Sequence, residues 1–194
     1  KTLPIVGISC GDPNGIGIEI ILKSLLDKRV LEFFTPVVFS NNNVISDQIK
    51  ALDLDVQFNK INLNQKPLSG KINVVNCWEE NFKTEFGKPS EKSGELSYLS
   101  LEATTNALIN SKIDVMVTAP INKNNIQNKN FKYPGHTDYL AKKLKGESLM
   151  FMVNEELRVG LLTDHIPIKE IASSISLEKI SNKIKIMEQS LQID

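Results

Sequence analysis

The sequence of 194 residues has few cysteines, few histidines, no excess of charge and no long apolar run. Two cysteines cannot form a disulfide framework or a zinc cluster, and they predict buried thiols in a reducing cytoplasm. Acidic and basic residues balance at 23 each, so the charge gives no sign of a nucleic-acid or membrane surface. We expect no membrane span and no signal peptide. Because the first residue is not Met, we expect a part of a longer protein.

Two kinds of apolar segment alternate along the chain. Short runs rich in β-branched residues, such as PIVGISC, TPVVFS and KIDVMVTAP, are typical of buried strands. Segments with helical apolar spacing stand between them, as at Ile18, Ile21 and Leu22. The alternation predicts an α/β protein. Residues 148–165 predict an antiparallel hairpin around an NEE turn, and the apolar spacing from Leu177 to Leu191 predicts a final helix.

The glycine-rich segment SCGDPNGIGIE (9–19) looks at first like a phosphate-binding loop. It lacks both the Gly-Lys-Ser/Thr ending of a Walker loop and the G-x-G-x-x-G dinucleotide fingerprint. Glu19 in the first helical turn would also repel a phosphate there. Asp12 to Gly15 fits a type I turn. A tight strand-to-helix turn and a loop that approaches a ligand both remain open, and Asp12 is a candidate cleft residue.

Polar residues also follow the later apolar segments. In YPGHTDYLA, His136 precedes a predicted helix that Thr137 could cap, and together they could bind an anion. Lys123, after VTAPIN, could pair with a carboxylate or phosphate, or be an ordinary solvated lysine. The alternative for His136 is a capping or surface residue.

The second histidine, His165, is expected at the end of an apolar strand, where α/β proteins often bind ligands. It is equally typical of a structural residue. The neighbouring Asp164 could ligate, orient the imidazole or cap the next helix. Four strand ends with polar groups predict one shared cleft, with Asp12, Lys123 and Asp164 as further candidates beside the histidines.

Four segments, GDPNGIGIE, VTAPINK, YPGHTDYLA and ELRVGLLTDHIPIKEI, occur in the order and spacing of the 4-hydroxythreonine-4-phosphate dehydrogenase family, which the sequence resembles. Ile18 stands where that family usually has Pro, a departure expected to affect only the helix start. The resemblance implies a three-layer α/β/α fold of the isocitrate/isopropylmalate dehydrogenase type, with a mixed sheet and two lobes around a cleft. Residues 1–120 would belong to the first lobe, incomplete without a missing C-terminal part, and 121–194 would begin the second.

The resemblance also implies a function in vitamin B6 biosynthesis. With NAD (or NADP), the enzyme would oxidise and decarboxylate 4-phosphooxy-L-threonine to 3-amino-2-oxopropyl phosphate. His136 and Thr137 match a substrate-binding pair, and His165 matches one of three histidines that bind a divalent metal, Zn²⁺ first, with Mg²⁺ or Co²⁺ as alternatives. The other metal ligands and most of the NAD site would lie beyond Asp194, so this chain alone would be inactive. No catalytic residue is assigned.

The resemblance further implies a cytoplasmic homodimer with its active site at the interface. Two other functions stay open at this point. One is a sibling dehydrogenase acting on a phosphorylated four-carbon sugar acid, such as 4-phosphoerythronate or phosphothreonate. The other is a non-catalytic module that binds a small molecule on the same scaffold.

Overall fold

A computed structural model describes residues 3–128 and 130–193 of the chain. The chain divides into two compact units, one running to Leu144 and the other beginning at Lys145. Both units combine helices with strands, so the α/β prediction is confirmed. In the part of the chain that the structure describes, no helix combines the length and apolar character that crossing a membrane requires. The division into lobes at 1–120 and 121–194 stays a prediction.

The first unit contains a five-stranded sheet in the order β3-β4-β2-β1-β5, and every strand pair is parallel. Its strands are β1 (Ile5–Ser9), β2 (Thr35–Ser40), β3 (Phe58–Ile61), β4 (Ile72–Asn76) and β5 (Val115–Thr118). Its helices are α1 (Gly17–Ser24), a 3₁₀ turn (Lys28–Glu32), α2 (Asn42–Ala51), α3 (Glu91–Ile109) and α4 (His136–Lys143). Parallel neighbours need long crossovers, and the helices provide most of them.

The central strands of the first unit's sheet are buried on both faces. All six residues of β2 are buried, as expected for a central strand of a parallel sheet. Because side chains alternate along a strand, Val38 packs with Ile18 and Leu22 of α1 on one face. Val37 and Phe39 pack on the other face in a second cluster, which includes Ala107 of α3. Helices therefore cover both sides of the central strands, whereas Val115 and Val117 of the edge strand β5 are exposed.

The second unit contains a two-stranded antiparallel sheet and helical segments. These are β6 (Phe151–Val153), β7 (Arg158–Gly160), a 3₁₀ turn (Ile168–Glu170), α5 (Ile171–Ser174) and α6 (Leu177–Ile193). The register pairs Phe151 with Gly160 and Val153 with Arg158, which confirms the predicted hairpin. The final helix is confirmed as well. Since the hairpin is a sheet of its own, the described residues contain one parallel sheet and one antiparallel sheet instead of the mixed sheet that was expected.

Candidate functional site

The loop after β1 is a tight turn that is tied to the loop after β5. The Gly15 N–H donates to the Asp12 carbonyl at 2.9 Å, which confirms the predicted turn, and the Asn14 N–H donates to Asp12 Oδ1 at 2.9 Å. The Asp12 N–H donates to the Pro120 carbonyl at 3.0 Å. Gly11 has a φ of 69°, and a Cβ there would overlap the Pro120 carbonyl, so only glycine permits this approach. Asp12 is buried and serves first as a structural residue.

Asn14 connects the same loop to a third segment. Its Oδ1 accepts from the Glu85 N–H at 2.8 Å and its Nδ2 donates to the Lys88 carbonyl at 2.9 Å. A cavity of about 320 Å³ is lined by residues from 12–16, 87–89 and 120–122. It lies beyond the carboxyl ends of β1 and β5. At β1 the strand order reverses, since β2 lies on one side and β5 on the other, and α/β proteins bind ligands at such points.

The turn that carries Lys123 is anchored on two sides. A Cβ at Gly94 of α3 would overlap the Asn125 carbonyl, so glycine lets this turn lie against the helix. Asn122 Oδ1 accepts from the N–H groups of Asn124 and Asn125, at 3.0 and 3.2 Å. Asn125 Nδ2 in turn donates to Asp12 Oδ2 at 3.3 Å. Two of the four predicted polar strand ends, those with Asp12 and Lys123, are therefore joined within the first unit.

His136 is the first residue of α4, and the predicted cap is wrong. Gly135 occupies the N-cap position without a side-chain hydrogen bond, so Thr137 lies inside the first turn, where its side chain is exposed. The cap must precede the first helical residue, and the helix begins two residues earlier than a Thr137 cap requires. His136 is half-buried, and its Nε2 is buried without a hydrogen-bond partner in the described residues.

Burial and a nearby positive charge both lower the pKa of His136. Burial is the main cause that lowers the pKa of its imidazole, and the positive charge of Lys123 lowers that pKa further. The lowered pKa favours the neutral imidazole, and its buried nitrogen is available to a ligand. The N–H groups of the first turn of α4 add positive potential. This combination of a helix start, a lysine and an unpaired imidazole nitrogen suits an anion.

His165 and Asp164 lie in the second unit, both exposed. Strand β7 ends at Gly160, and a segment without regular structure separates it from His165. The predicted position of His165 at a strand end is therefore wrong. The last ladder bond, from the Leu161 N–H to the Met150 carbonyl, ends the hairpin before this residue. His165 has a φ of 51°, the left-handed region that costs energy for a residue with a side chain.

Asp164 does not cap the following 3₁₀ turn, whose N-cap is Pro167. Among residues 3–128 and 130–193, no group of three His, Cys, Asp or Glu side chains could hold a metal ion. The two cysteines, Cys10 and Cys77, are free thiols, and burial raises the pKa of both. Thiols with a raised pKa are poorly reactive. Cys10 is buried as the sequence predicted, whereas Cys77 is only partly buried.

Sequence reasoning missed the residues that hold the site together. Asn14 and Asn125 are tied to distant segments by their side chains, and Tyr139, one turn after His136, is fully buried. For Tyr139, the one sequence feature that could have indicated its role was its spacing from His136, which places both on one helical face. Asparagines in loops have no sequence pattern that separates a long-range tie from a local turn.

Comparison with known proteins agrees with this fold. The family model described as Pyridoxal phosphate biosynthetic protein PdxA matches residues 32–194. A 4-hydroxythreonine-4-phosphate dehydrogenase of Bacteroides thetaiotaomicron is 39% identical over 191 residues, which are 97% of this chain and 52% of the relative. A protein of Oceanobacillus iheyensis, provisionally named a D-threonate 4-phosphate dehydrogenase, is 29% identical over 192 residues, covering 97% of this chain and 58% of that protein.

A solved structure also resembles this chain in fold. The crystal structure of a 4-hydroxythreonine-4-phosphate dehydrogenase from Burkholderia phymatum superposes with a TM-score of 0.85 and 26% identity, over 95% of this chain and 57% of that one. The chain thus spans about half the length of the relatives that it matches. The resemblance drawn from the four sequence motifs is confirmed. This chain belongs to the PdxA family of pyridoxal phosphate biosynthetic proteins.

Proposed function

We propose that this chain is part of a dehydrogenase of vitamin B6 biosynthesis. The whole protein would oxidise 4-phosphooxy-L-threonine with NAD (or NADP), and loss of carbon dioxide would then give 3-amino-2-oxopropyl phosphate. Family membership and the name of the Bacteroides thetaiotaomicron relative support this reaction. We also propose the isocitrate/isopropylmalate dehydrogenase type of fold, with two lobes around a cleft, for the whole protein.

The observation that carries the proposal is the buried Nε2 of His136 at the start of α4, which has no hydrogen-bond partner among residues 3–128 and 130–193. A buried polar atom without a partner is costly, and a substrate oxygen would remove that cost. Lys123 contributes positive charge nearby, and the exposed Thr137 hydroxyl can donate to the same substrate. These residues would bind and orient an anionic substrate such as a phosphorylated hydroxy acid.

The described residues do not by themselves form a metal site. His165 is exposed and so accessible to an ion, but the other donors that a divalent metal needs are not grouped with it in residues 3–128 and 130–193. We propose that His165 is one ligand of a divalent ion, Zn²⁺ first, with Mg²⁺ or Co²⁺ as alternatives. The remaining ligands would come from the rest of the whole protein.

The NAD site is proposed to lie mostly outside this chain. The loop at 11–17 matches neither nucleotide-binding template, and Glu19 in the first turn of α1 pairs with Lys23 at 2.6 Å. A carboxylate at this place opposes a bound pyrophosphate. We also propose a cytoplasmic homodimer whose active site lies at the interface, with this chain inactive by itself.

A second candidate is a sibling enzyme that acts on a phosphorylated four-carbon sugar acid. The provisional name of the Oceanobacillus iheyensis relative favours it. His136, Thr137 and Lys123 would bind the acidic groups that both substrates share, so these residues do not distinguish the two.

The deciding experiment measures NAD reduction by the whole protein with a divalent metal. The substrates are 4-phosphooxy-L-threonine, 4-phosphoerythronate and D-threonate 4-phosphate, compared by kcat/KM. The proposal expects the first to be preferred, preference for another identifies the sibling, and binding without NAD reduction identifies a non-catalytic module. His165→Ala should lose both bound metal and turnover, while His136→Gln should chiefly raise KM. Unchanged metal content and activity in His165→Ala would remove the metal assignment.

A further inference from the structure

Helix α4 depends on tertiary contacts for its position. It has only eight residues and no side-chain cap at its N-terminus. Isolated helices of this length are not stable in water. Tyr139 is its one buried residue. Whatever holds Tyr139 therefore determines where the helix lies.

Tyr139 belongs to an aromatic cluster, which we define as Tyr98, Phe131, Tyr133 and Tyr139. The Tyr139 ring is 5.4 Å from the rings of both Phe131 and Tyr133, and 6.4 Å from the ring of Tyr98. The contacts with Tyr133 and Tyr98 are edge-to-face, a favourable geometry for aromatic rings. Rings from α3 and from the segment 131–133 thus surround Tyr139 on several sides.

The segment 131–133 is itself held in place. The Phe131 N–H donates to Asn128 Oδ1 at 3.0 Å, and Gln127 Nε2 donates to the Tyr133 carbonyl at 2.8 Å. At the other end of α4, Lys143 lies 5.6 Å from the centre of the Tyr139 ring and 3.4 Å from Glu102 of α3. The aromatic cluster is therefore built on fixed neighbours.

The same helical face carries Tyr139 and His136, which are one turn apart. Tyr139 points inward and is 0% exposed. His136, which precedes it by one turn on the same face, is half-buried. Thr137 and Asp138, which lie between them, are exposed. The rotation of α4 that buries Tyr139 is thus the rotation that turns His136 inward.

We propose that Tyr139 is a positioning residue, which through the aromatic cluster holds the His136 imidazole where it can bind the substrate anion. This inference rests on the proposed function for the identity of that anion. The ring supplies the effect and the hydroxyl adds little, because the buried Tyr139 hydroxyl lies near Thr105 but makes no well-formed hydrogen bond in the described part of the chain. Displacement of a binding group by about 1 Å can cost up to about a hundredfold in rate.

The test compares three variants of the whole protein. Tyr139→Leu removes the ring, Tyr139→Phe keeps it, and Phe39→Leu removes an equally buried ring from β2, in a core cluster without α4 residues. The pKa of His136 is followed by NMR titration, with His136→Gln for assignment. Binding of inorganic phosphate and KM against kcat for 4-phosphooxy-L-threonine are measured in parallel.

In Tyr139→Leu the pKa of His136 should rise toward about 6.5, its ordinary value, as the imidazole becomes hydrated. Phosphate affinity should fall on the order of tenfold, and KM should rise by more than kcat falls. Tyr139→Phe should match the unmodified protein in all three measurements. Phe39→Leu should lower stability but leave the pKa of His136 unchanged.

An unchanged pKa of His136 in Tyr139→Leu overturns the inference, and so does an equal change in Phe39→Leu. If Tyr139→Leu does not fold, Tyr133→Leu removes one neighbouring ring and should move the pKa in the same direction by less; no movement overturns the inference. If the unmodified protein does not turn over the substrate, the proposed function fails, and the pKa comparison still decides the role of Tyr139.

Discussion

The two units use similar apolar sequences with different results. In the first unit, all six residues of β2 are buried between helices. In the second, none of the described side chains from 145 to 192 is buried, including those of β6 and β7. Leu177 and Ile184 of α6 are 81% and 59% exposed although they stand on a regular apolar seam. Periodicity therefore identifies the type of an element but does not show how much of its apolar face is covered.

The difference has a geometric cause. A parallel sheet needs crossovers, and the helices that form them cover both of its faces. Within this chain, which spans about half the length of its relatives, a two-stranded hairpin with one long helix has too few layers to enclose a side chain completely. Met187 of α6 lies against Gly160 of β7, whereas other apolar side chains of the unit, such as Leu177, are in contact with solvent.

The largest effect on the free energy of unfolding is expected from a leucine-to-alanine substitution, which is made once in each unit. Leu22→Ala in α1, where Leu22 is 1% exposed, should lower the free energy of unfolding by about 2–5 kcal/mol. Leu177→Ala in α6 should change it by less than about 0.5 kcal/mol. Urea unfolding of the chain, followed by circular dichroism and by the fluorescence of Trp78, its one tryptophan, measures both. Equal losses in the two variants would contradict the comparison.

An intermediate effect is expected at two asparagines that each bind two backbone groups. Asn14 is 4% exposed and ties the loop after β1 to residues 85 and 88. Asn154 is exposed and accepts from Glu156 and Leu157 within the hairpin turn. Asn14→Ala should cost about 2 kcal/mol and Asn154→Ala about 0.5–1 kcal/mol, because a tie to distant backbone is harder to replace with water.

The same unfolding experiment measures the two asparagine variants. A larger loss from the exposed Asn154 would show that hairpin closure, and not burial, governs the stability of this chain.

The smallest effect is expected from acidification. The pKa of His136 is lowered in the folded protein by burial and by Lys123. The unfolded chain therefore takes up this proton at higher pH, so folding becomes less favourable as the pH falls below about 6.5. His136→Gln should remove this part of the loss in urea midpoint between about pH 7.5 and 5.5, whereas His165→Gln, which leaves His136 in place, should retain it. Identical pH profiles for His136→Gln and the unmodified chain would contradict the burial of His136.

Much of the fold could be predicted from local pattern. The strands β1, β2 and β5, the hairpin and the final helix follow from apolar periodicity, and the turn at Asp12 follows from its Asp-Pro-Asn-Gly composition. The errors were local as well. Thr137 is not a cap, because the start of a short helix depends on the preceding backbone. His165 lies past its strand, because the pairing of β6 with β7 ends at Met150 and Leu161.

The candidate site was predicted only in its polar members. Asp12, Lys123 and His136 were named from their places after apolar segments, and no local pattern could show that Asn125 links the turn of Lys123 to Asp12. Glycines at 11 and 94 admit close backbone approaches whose partners are distant in sequence. Such pairings depend on chain crossings that the sequence does not encode locally.

By itself, the sequence determined the α/β class, the type of most elements and, through four motifs, the family. Those features depend on side-chain type and spacing within a few residues. The tertiary structure alone decided the strand order, the coverage of the central strands on both faces and the inward rotation of α4 that half-buries His136. These features arise from packing between segments that are far apart in the chain, because the fit of whole surfaces determines the free energy of folding.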